Sequence, residues 1–348
     1  MTMMETRAGA AARRPELPRQ AWYIAAPSCR LADRPLPVTI FEQRLVLFRD
    51  ADGAARALLD RCPHRGVPLS LGRVKGGEIE CPYHGWRFRG NGRCAHIPSL
   101  LDGGAPTRSI GVPHFHCVEG DGYVWVWMGD GPPAPERPLP IAEYSKRRWR
   151  QGTVELACSS MASIENNLDW CHPYFTHPNT HEQHRDISEA GFRETAYEVR
   201  ANGTGLTLFA PVTADESEPP PLVGARMVFE LPDRVTVSAG GSAGGSLIVL
   251  HMVPTGPHSC RQEWLFAAGP GSGEVEWSDA APVVLEQDRL VLEAAEPAYR
   301  ETLGSFERSV EADAAPLMAR RIVRLAAAGR WPGELRDTDA RRVVSVRS

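Results

Sequence analysis

The sequence predicts an α+β chain of two domains: an all-β N-terminal half, and a second half whose strands give way to C-terminal helices. Three observations carry this. Short runs rich in Val, Ile, Leu and aromatics, cut by Gly, Pro and Asp, fill residues 22–128. A Pro- and Gly-rich segment over 129–140 (GDGPPAPERPLP) then breaks the pattern. Beyond it, strand-like runs return and end in two stretches with helical spacing.

Taken in order, the first half offers strands at 45–48, 57–59, 86–88 and 123–128. The second opens with a strand over 152–157 and a helix from about 163 to 171. Strands follow at 196–200, 206–209, 226–231, 235–238, 246–253 and 261–268, and helices at 281–302 and 314–329. Strands first and helices last argue against an alternating parallel sheet. The expected organisation is a flexible tail over 1–20, a first domain over 21–130, a linker over 131–140, a second domain over 141–330 and a tail over 331–348. The loops at 216–222 (ESEPPPL) and 240–246 (GGSAGGS) read as turns; neither is a phosphate cradle, since no Lys-Ser or Lys-Thr follows the glycines.

Length and composition narrow the function classes. The 348 residues suffice for two cores, and 42% hydrophobic with 24% charged residues is ordinary for a soluble protein. A net charge of −4 provides no basic field, so neither nucleic acid nor an anionic membrane is an expected partner. No apolar run approaches the roughly 20 residues that cross a bilayer, and the Arg-rich start lacks the apolar stretch of a secretory signal. Eight cysteines are thin for a disulfide scaffold. Cys29, Cys94, Cys117, Cys158, Cys171 and Cys260 fit no metal spacing and are expected as free thiols in a reducing cytoplasm.

The other two cysteines carry chemistry. Cys62-Pro63-His64 is followed, after sixteen intervening residues, by Cys81-Pro82-Tyr83-His84. Two thiolates and two imidazoles suit tetrahedral zinc, or a two-iron cluster with Cys on one iron and His on the other. Each short loop here supplies one of each ligand, as two loops clasping opposite ends of a cluster require. These residues, in CPHRG and CPYHGWRF, resemble the two ligand loops of Rieske clusters. Respiratory Rieske proteins hold an extra disulfide-bonded Cys in each loop, where this chain has Val67 and Tyr83. The resemblance is therefore to the Rieske non-haem iron oxygenases, with Cys62, His64, Cys81 and His84 implied as ligands of a [2Fe-2S] cluster.

A second constellation lies in the second half. Asp169 is followed by His172 three residues on and His177 five beyond that, with Pro173 between. On a helix Asp169 and His172 share a face, and Pro173 is expected to break the helix so that His177 swings back. Two imidazoles and one carboxylate make the facial triad of non-haem iron(II), with positions left open for dioxygen. Asp288 is the candidate third ligand: its helical neighbours Val284, Leu285, Val291 and Leu292 predict an apolar face, where a carboxylate must be paired or bind metal. A salt bridge to an Arg is the alternative. Glu286 and Glu293 lie off that stripe and are expected in solvent. His181 and His184 follow closely but read as a polar loop; His114 and His116 read as surface residues, while His96, His251 and His258 carry no distinguishing context.

Here too the sequence resembles the same family, in its single-subunit monooxygenase branch of dicamba and vanillate demethylases. The resemblance covers roughly residues 21–329. It implies a Rieske β-domain, a helix-grip (START-like) catalytic domain and a head-to-tail homotrimer. It implies that His172, His177 and Asp288 bind mononuclear Fe(II). Asp169 would bridge His84 of one subunit to His172 of the next, and Asn166 falls where the family has an iron-proximal amide. It also implies an NAD(P)H-dependent reductase or a ferredoxin as electron donor, dioxygen as co-substrate, an aromatic or alicyclic small molecule as substrate, and a cytoplasmic protein. The rivals are a Rieske electron carrier, which would leave Asp169, His172, His177 and Asp288 idle, and a zinc-binding interaction protein.

Overall fold

The computed structural model describes residues 13–101, 109–141, 144–177, 194–212, 225–239, 246–267, 274–334 and 341–347. The loop at 216–222, all but the last residue of 240–246, and both His181 and His184 lie outside them. The chain divides into two compact units, Arg19–Ser145, and Lys146–Ser348 together with Met1–Pro18.

The first unit is all β. Its strands are β1 (Trp22–Pro27), β2 (Leu36–Ile40), β3 (Gln43–Arg49), β4 (Ala55–Leu59), β5 (Arg73–Lys75), β6 (Glu78–Glu80), β7 (Arg87–Phe88), β8 (Cys94–His96), β9 (His114–Phe115), β10 (Cys117–Gly120) and β11 (Tyr123–Trp127). They form three antiparallel sheets in the orders β1-β11-β10, β2-β3-β4-β9 and β5-β6-β7-β8. Every residue of β1 and β11 is buried, so both read as unbroken apolar runs rather than alternating strands. Val46, Phe48, Leu58, Ile79 and Phe88 build a core that also takes in Cys62 and Cys81. The Pro-rich segment stays with this unit: Trp22 Nε1 donates to the Pro135 carbonyl at 2.8 Å, and the Ile141 amide to Asp121 Oδ2 at 2.6 Å. The boundary therefore falls at Ser145, past the expected linker.

The second unit is built on one eight-stranded antiparallel sheet. Its strands are β12 (Arg150–Leu156), β13 (Glu194–Asn202), β14 (Gly205–Val212), β15 (Ala225–Glu230), β16 (Arg234–Ala239), β17 (Ser246–Gly256), β18 (Ser259–Ala267) and β19 (Arg341–Arg347). Their order is β12-β18-β17-β16-β15-β14-β13-β19. Helices α1 (Ser160–Leu168), α2 (Pro173–Thr176), α3 (Glu274–Thr302) and α4 (Ala314–Ala327) complete the unit. On α4, Ala315, Ala319, Ile322 and Val323 are fully buried, and the small side chains let it lie against α1 and β14.

Three expectations need correction here. Residues 331–348 are not simply a tail: β19 pairs with β13 from Glu194↔Arg347 to Arg200↔Arg341, and the ion pairs of Glu198 with Arg200 and Arg341 secure that edge. The N-terminal 20 residues are not uniformly free, because Leu17 is buried and Arg14 is ion-paired within the second unit. The helix expected at 163–171 runs instead from Ser160 to Leu168. Ser159 caps its start by accepting from the Ala162 amide at 3.3 Å. Asp169 leaves the helix (φ −83°, ψ 114°), and its Oδ1 accepts from the Cys171 amide at 2.7 Å and the His172 amide at 3.3 Å. That local turn competes with helix continuation. Pro173 then opens α2 at its first position instead of breaking a longer helix.

Candidate metal centres

Two loops of the first unit fold alike. Each starts at a buried cysteine and turns, four residues on, through a glycine in the left-handed region: Gly66 at φ +74° and Gly85 at φ +70°. In one, the Gly66 amide donates to the Cys62 carbonyl (2.9 Å) and the Cys62 amide to Val67 (2.8 Å). In the other, Gly85 donates to Cys81 (3.1 Å) and Cys81 to Trp86 (2.8 Å). The turns leave Cys62 and Cys81 side by side in the core at 2% and 3% exposure, both as free thiols. The rings of His64 and His84 are 4.6 Å apart, and His64 stacks on Trp86 at 4.6 Å and 3°.

The chemistry of this set suits a cluster. Burial, with the neighbouring Cys81, pushes the Cys62 thiol up to about 11, and the main-chain amides of His64 and Arg65, aimed at its sulfur, offset only part of that rise. Two dry thiolates need cations beside them. Burial, with the charges of His84 and Arg65, holds His64 below the usual histidine range and therefore neutral, the form that binds metal. Its Nδ1 is buried without a hydrogen-bond partner among the described residues, and an iron ion is a partner that fits.

In the second unit, His172, His177 and Asp288 converge, each with a ligand atom within 4.8 Å of the others. Asp288 Oδ1 lies 3.5 Å from His172 Nε2 and 3.2 Å from His177 Nε2, with the two rings 5.4 Å apart at 80°. The other ring nitrogens are held: His172 Nδ1 at 2.8 Å from the Asp169 carbonyl, and His177 Nδ1 at 2.8 Å from Gln287 Oε1. The Nδ1 partners fix both rings with Nε2 turned to the carboxylate, where a metal ion would replace the protons shared with it. Burial would push Asp288 up, but the two histidines outweigh it and hold the carboxyl at about 2. An anionic carboxylate and two oriented imidazoles in one dry cluster are the donors that iron(II) takes.

The remaining candidates stand as follows. Asp169 meets His172 through its main-chain carbonyl, and its carboxylate Oδ1 is engaged in the local turn. Asn166 sits on α1 with its Nδ2 buried and without a hydrogen-bond partner among the described residues. The stripe around Asp288 differs from the expected one, for Val291 is 53% exposed and the buried line runs Leu285, Asp288, Glu296, Tyr299. Glu286 is exposed, but Glu293 is engaged, accepting from the Ala157 amide at 2.9 Å and from Arg289. His114 and His116 are exposed, whereas His251 is buried with Nδ1 at 3.0 Å from Asp233, and His258 Nδ1 is 2.6 Å from Glu296.

Residues 21–109 match the Rieske [2Fe-2S] domain family. Residues 156–329, half of the 348, match the vanillate O-demethylase oxygenase C-terminal domain family. The chain belongs to the Rieske non-haem iron oxygenases. The family's cofactors are a Rieske [2Fe-2S] cluster and a mononuclear iron. The oxygenase component of dicamba O-demethylase from Stenotrophomonas maltophilia is 39% identical over 46% of this chain and 47% of its own length. Chlorophyllide a oxygenase from Chlamydomonas reinhardtii is 41% identical over 47% of this chain and 25% of its own length. The chain therefore spans about half or less of the curated relatives it matches. Crystalline dicamba monooxygenase bound to dicamba superposes with a TM-score of 0.73 and 26% identity, covering 89% of this chain and 98% of that one.

Sequence reading missed several residues in and near these centres. Trp86 was seen as a strand residue, although its place in CPYHGWRF puts it next to the ligands. Gln287 adjoins Asp288, but nothing in the sequence shows that its side chain turns to His177. Glu296 shares the Asp288 stripe and could have been found by the same argument, as a second carboxylate on a buried helical line.

Proposed function

We propose that this Rieske oxygenase is the terminal oxygenase component of a multi-component system. It uses dioxygen and externally supplied electrons to hydroxylate, dealkylate or N-oxygenate an aromatic or alicyclic small molecule, as a monooxygenase. The observation that carries this is the convergence of His172, His177 and Asp288 in the same chain as the Cys62/His64/Cys81/His84 loops. An electron carrier needs only the second set. The names of the relatives support the substrate class, since dicamba is an aromatic acid and that relative is an O-demethylase.

When bound, the cluster supplies single electrons and the mononuclear iron the site for dioxygen activation. The protein's part is positioning. Trp86 fixes the plane of His64 by stacking, and the Asp169 carbonyl and Gln287 amide oxygen fix the rotation of His172 and His177. Burial of Asp288 and His177, at 6% and 2% exposure, keeps water from competing for the donors. We further propose that an NAD(P)H-dependent reductase or a ferredoxin is the electron donor. In a homotrimer, Asp169 would stand between the residues that hold one subunit's cluster and the neighbour's His172, as the path for electron supply. We also propose a cytoplasmic location; the eight cysteines stand as free thiols. Among the described residues no helix is long and apolar enough to cross a membrane.

The test is iron and acid-labile sulfide analysis followed by product analysis. About three irons and two sulfides per chain, with label from ¹⁸O₂ in the product of a surrogate-reductase assay, are expected. About two irons and no product across an aromatic substrate panel would return the chain to electron carriage.

A further inference from the structure

Residues before the Rieske unit reach into the catalytic unit. Arg14 is 14% exposed at its side chain and contacts carboxylates from three places. Its Nε donates to Glu165 Oε2 at 3.3 Å, and its Nη2 to Glu307 Oε1 at 3.0 Å. Its Nη1 lies 3.7 Å from Glu296 Oε2. The guanidinium sits 4.3 Å over the Tyr299 ring, while the Arg14 amide donates to the Tyr299 hydroxyl at 2.8 Å. The Arg13 carbonyl accepts from Arg324 Nη2 at 3.1 Å, so the segment is held on both sides.

The carboxylates that Arg14 joins stand on the elements that carry the iron donors. Glu165 is on α1, four residues before Asp169, in the segment that leads to His172 and His177. Glu296 is on α3, eight residues beyond Asp288, or about 12 Å along the helix. Glu307 follows α3, and Arg320 of α4 closes the network onto Glu165 (2.7 Å) and Glu307 (2.9 Å). Without Arg14, the three carboxylates would share Arg320, the partly exposed Arg300 beside Glu296, and His258 at 2.6 Å from Glu296. Arg14 joins Glu165 of α1 to Glu296 of α3 directly, and the triad draws its histidines from the segment after α1 and its aspartate from α3.

We propose that Arg14 is a positioning residue for the mononuclear iron site, an N-terminal pin that holds α1 and α3 in the register the His172/His177/Asp288 triad requires. This rests on the iron site proposed above. The donors themselves do not touch Arg14; it acts through the two helices.

The test uses full-length, cluster-loaded protein with the mononuclear site emptied and titrated with Co(II). Binding is read by equilibrium dialysis and Co(II) electron paramagnetic resonance, apart from any turnover. Arg14→Met should weaken Co(II) binding by about tenfold or more and broaden the spectrum, while the Rieske absorption stays unchanged. Arg14→Lys should recover part of the affinity, since one ammonium restores charge but not the three-way contact. Glu198→Gln, which loosens the β13–β19 edge of the same unit, should leave Co(II) binding unchanged and so serves as a control for lost stability alone. If Arg14→Met does not fold, Glu296→Gln removes one arm of the pin and should shift Co(II) affinity in the same direction. Wild-type affinity and spectrum in these variants, at whatever melting temperature, would overturn the pin. Failure of the wild-type protein itself to take up cobalt, or uptake indifferent to Asp288→Asn, would instead remove the iron site on which it rests.

Discussion

Replacing the loop glycines by alanine measures how much of the cluster cradle is backbone strain. Gly66 and Gly85 hold φ of +74° and +70°. An L residue there costs about 1–2 kcal/mol, offset by about 0.4–1 kcal/mol because alanine has less freedom than glycine to lose on folding. A net loss near 1 kcal/mol is expected where the new methyl meets nothing. Gly53 is that case, at φ +79° with open space around it and outside both ligand loops. At Gly66 the nearest atom to an added Cβ is Arg61 Nε at 3.7 Å, an ordinary contact, so Gly66→Ala should match Gly53→Ala in stability. At Gly85 the Cβ would lie 3.1 Å from Pro98 Cγ, but Pro98 is exposed and can give way, so the loss should exceed the others by only tenths of a kcal/mol. At Gly92, by contrast, the Cβ would fall 2.0 Å from the Val112 carbonyl, which cannot move without breaking the Val112 amide to Gly92 hydrogen bond (2.8 Å). That variant should lose several kcal/mol. The assay is denaturant unfolding of the cluster-loaded protein, followed by its visible absorption. Equal losses at Gly53 and Gly92 would refute reasoning from contact distances, and a Gly66→Ala loss far above Gly53→Ala would show that the loop is strained by more than its φ.

Asp288→Asn removes the one anionic donor of the triad, so iron should fall from about three to about two per chain with sulfide and Rieske absorption kept. Asp169→Asn can keep the local turn, because an amide oxygen replaces Oδ1 as acceptor from Cys171 and His172; both metals should stay bound while product formation nearly disappears, and full turnover would end the bridging proposal. Glu198 is held below the usual carboxylate range by the hydrogen bonds of Arg200 and Arg341, against opposing burial. A depressed folded value means stability that is present above the unfolded carboxylate range and is lost as pH falls through the folded one. With both arginines about half exposed, the discounted contribution is about 1 kcal/mol. Glu198→Gln should flatten that acid limb and speed amide exchange in β19, which is the measurement.

Much of the chemistry was legible because it is local. The cluster loops are five-residue turns whose cysteine, histidine and glycine positions determine their own geometry, and the structure folds them as near copies. The α+β order and most strands of the second unit followed from periodicity. Strands β1 and β2 did not, and neither did the short β5, β6, β8 and β10, where three or four residues carry too little period and pairing comes from the sheet rather than from propensity. Helix phase placed Asp288 on a buried line but put Val291 there too, because apolar character alone does not say which side of a 29-residue helix faces the sheet.

What the sequence by itself determined is the donor inventory: which residues can ligate, in which loops, and therefore which family. Only the tertiary structure decided how that inventory is aimed. Gln287 and the Asp169 carbonyl set the histidine rotamers, Trp86 sets the plane of His64, and Arg14 crosses from the N-terminal segment to Glu165 and Glu296. The physical reason is separation along the chain. A turn closes within a few residues and is written in them, whereas Arg14 and Glu296 meet only after a whole domain has folded between them.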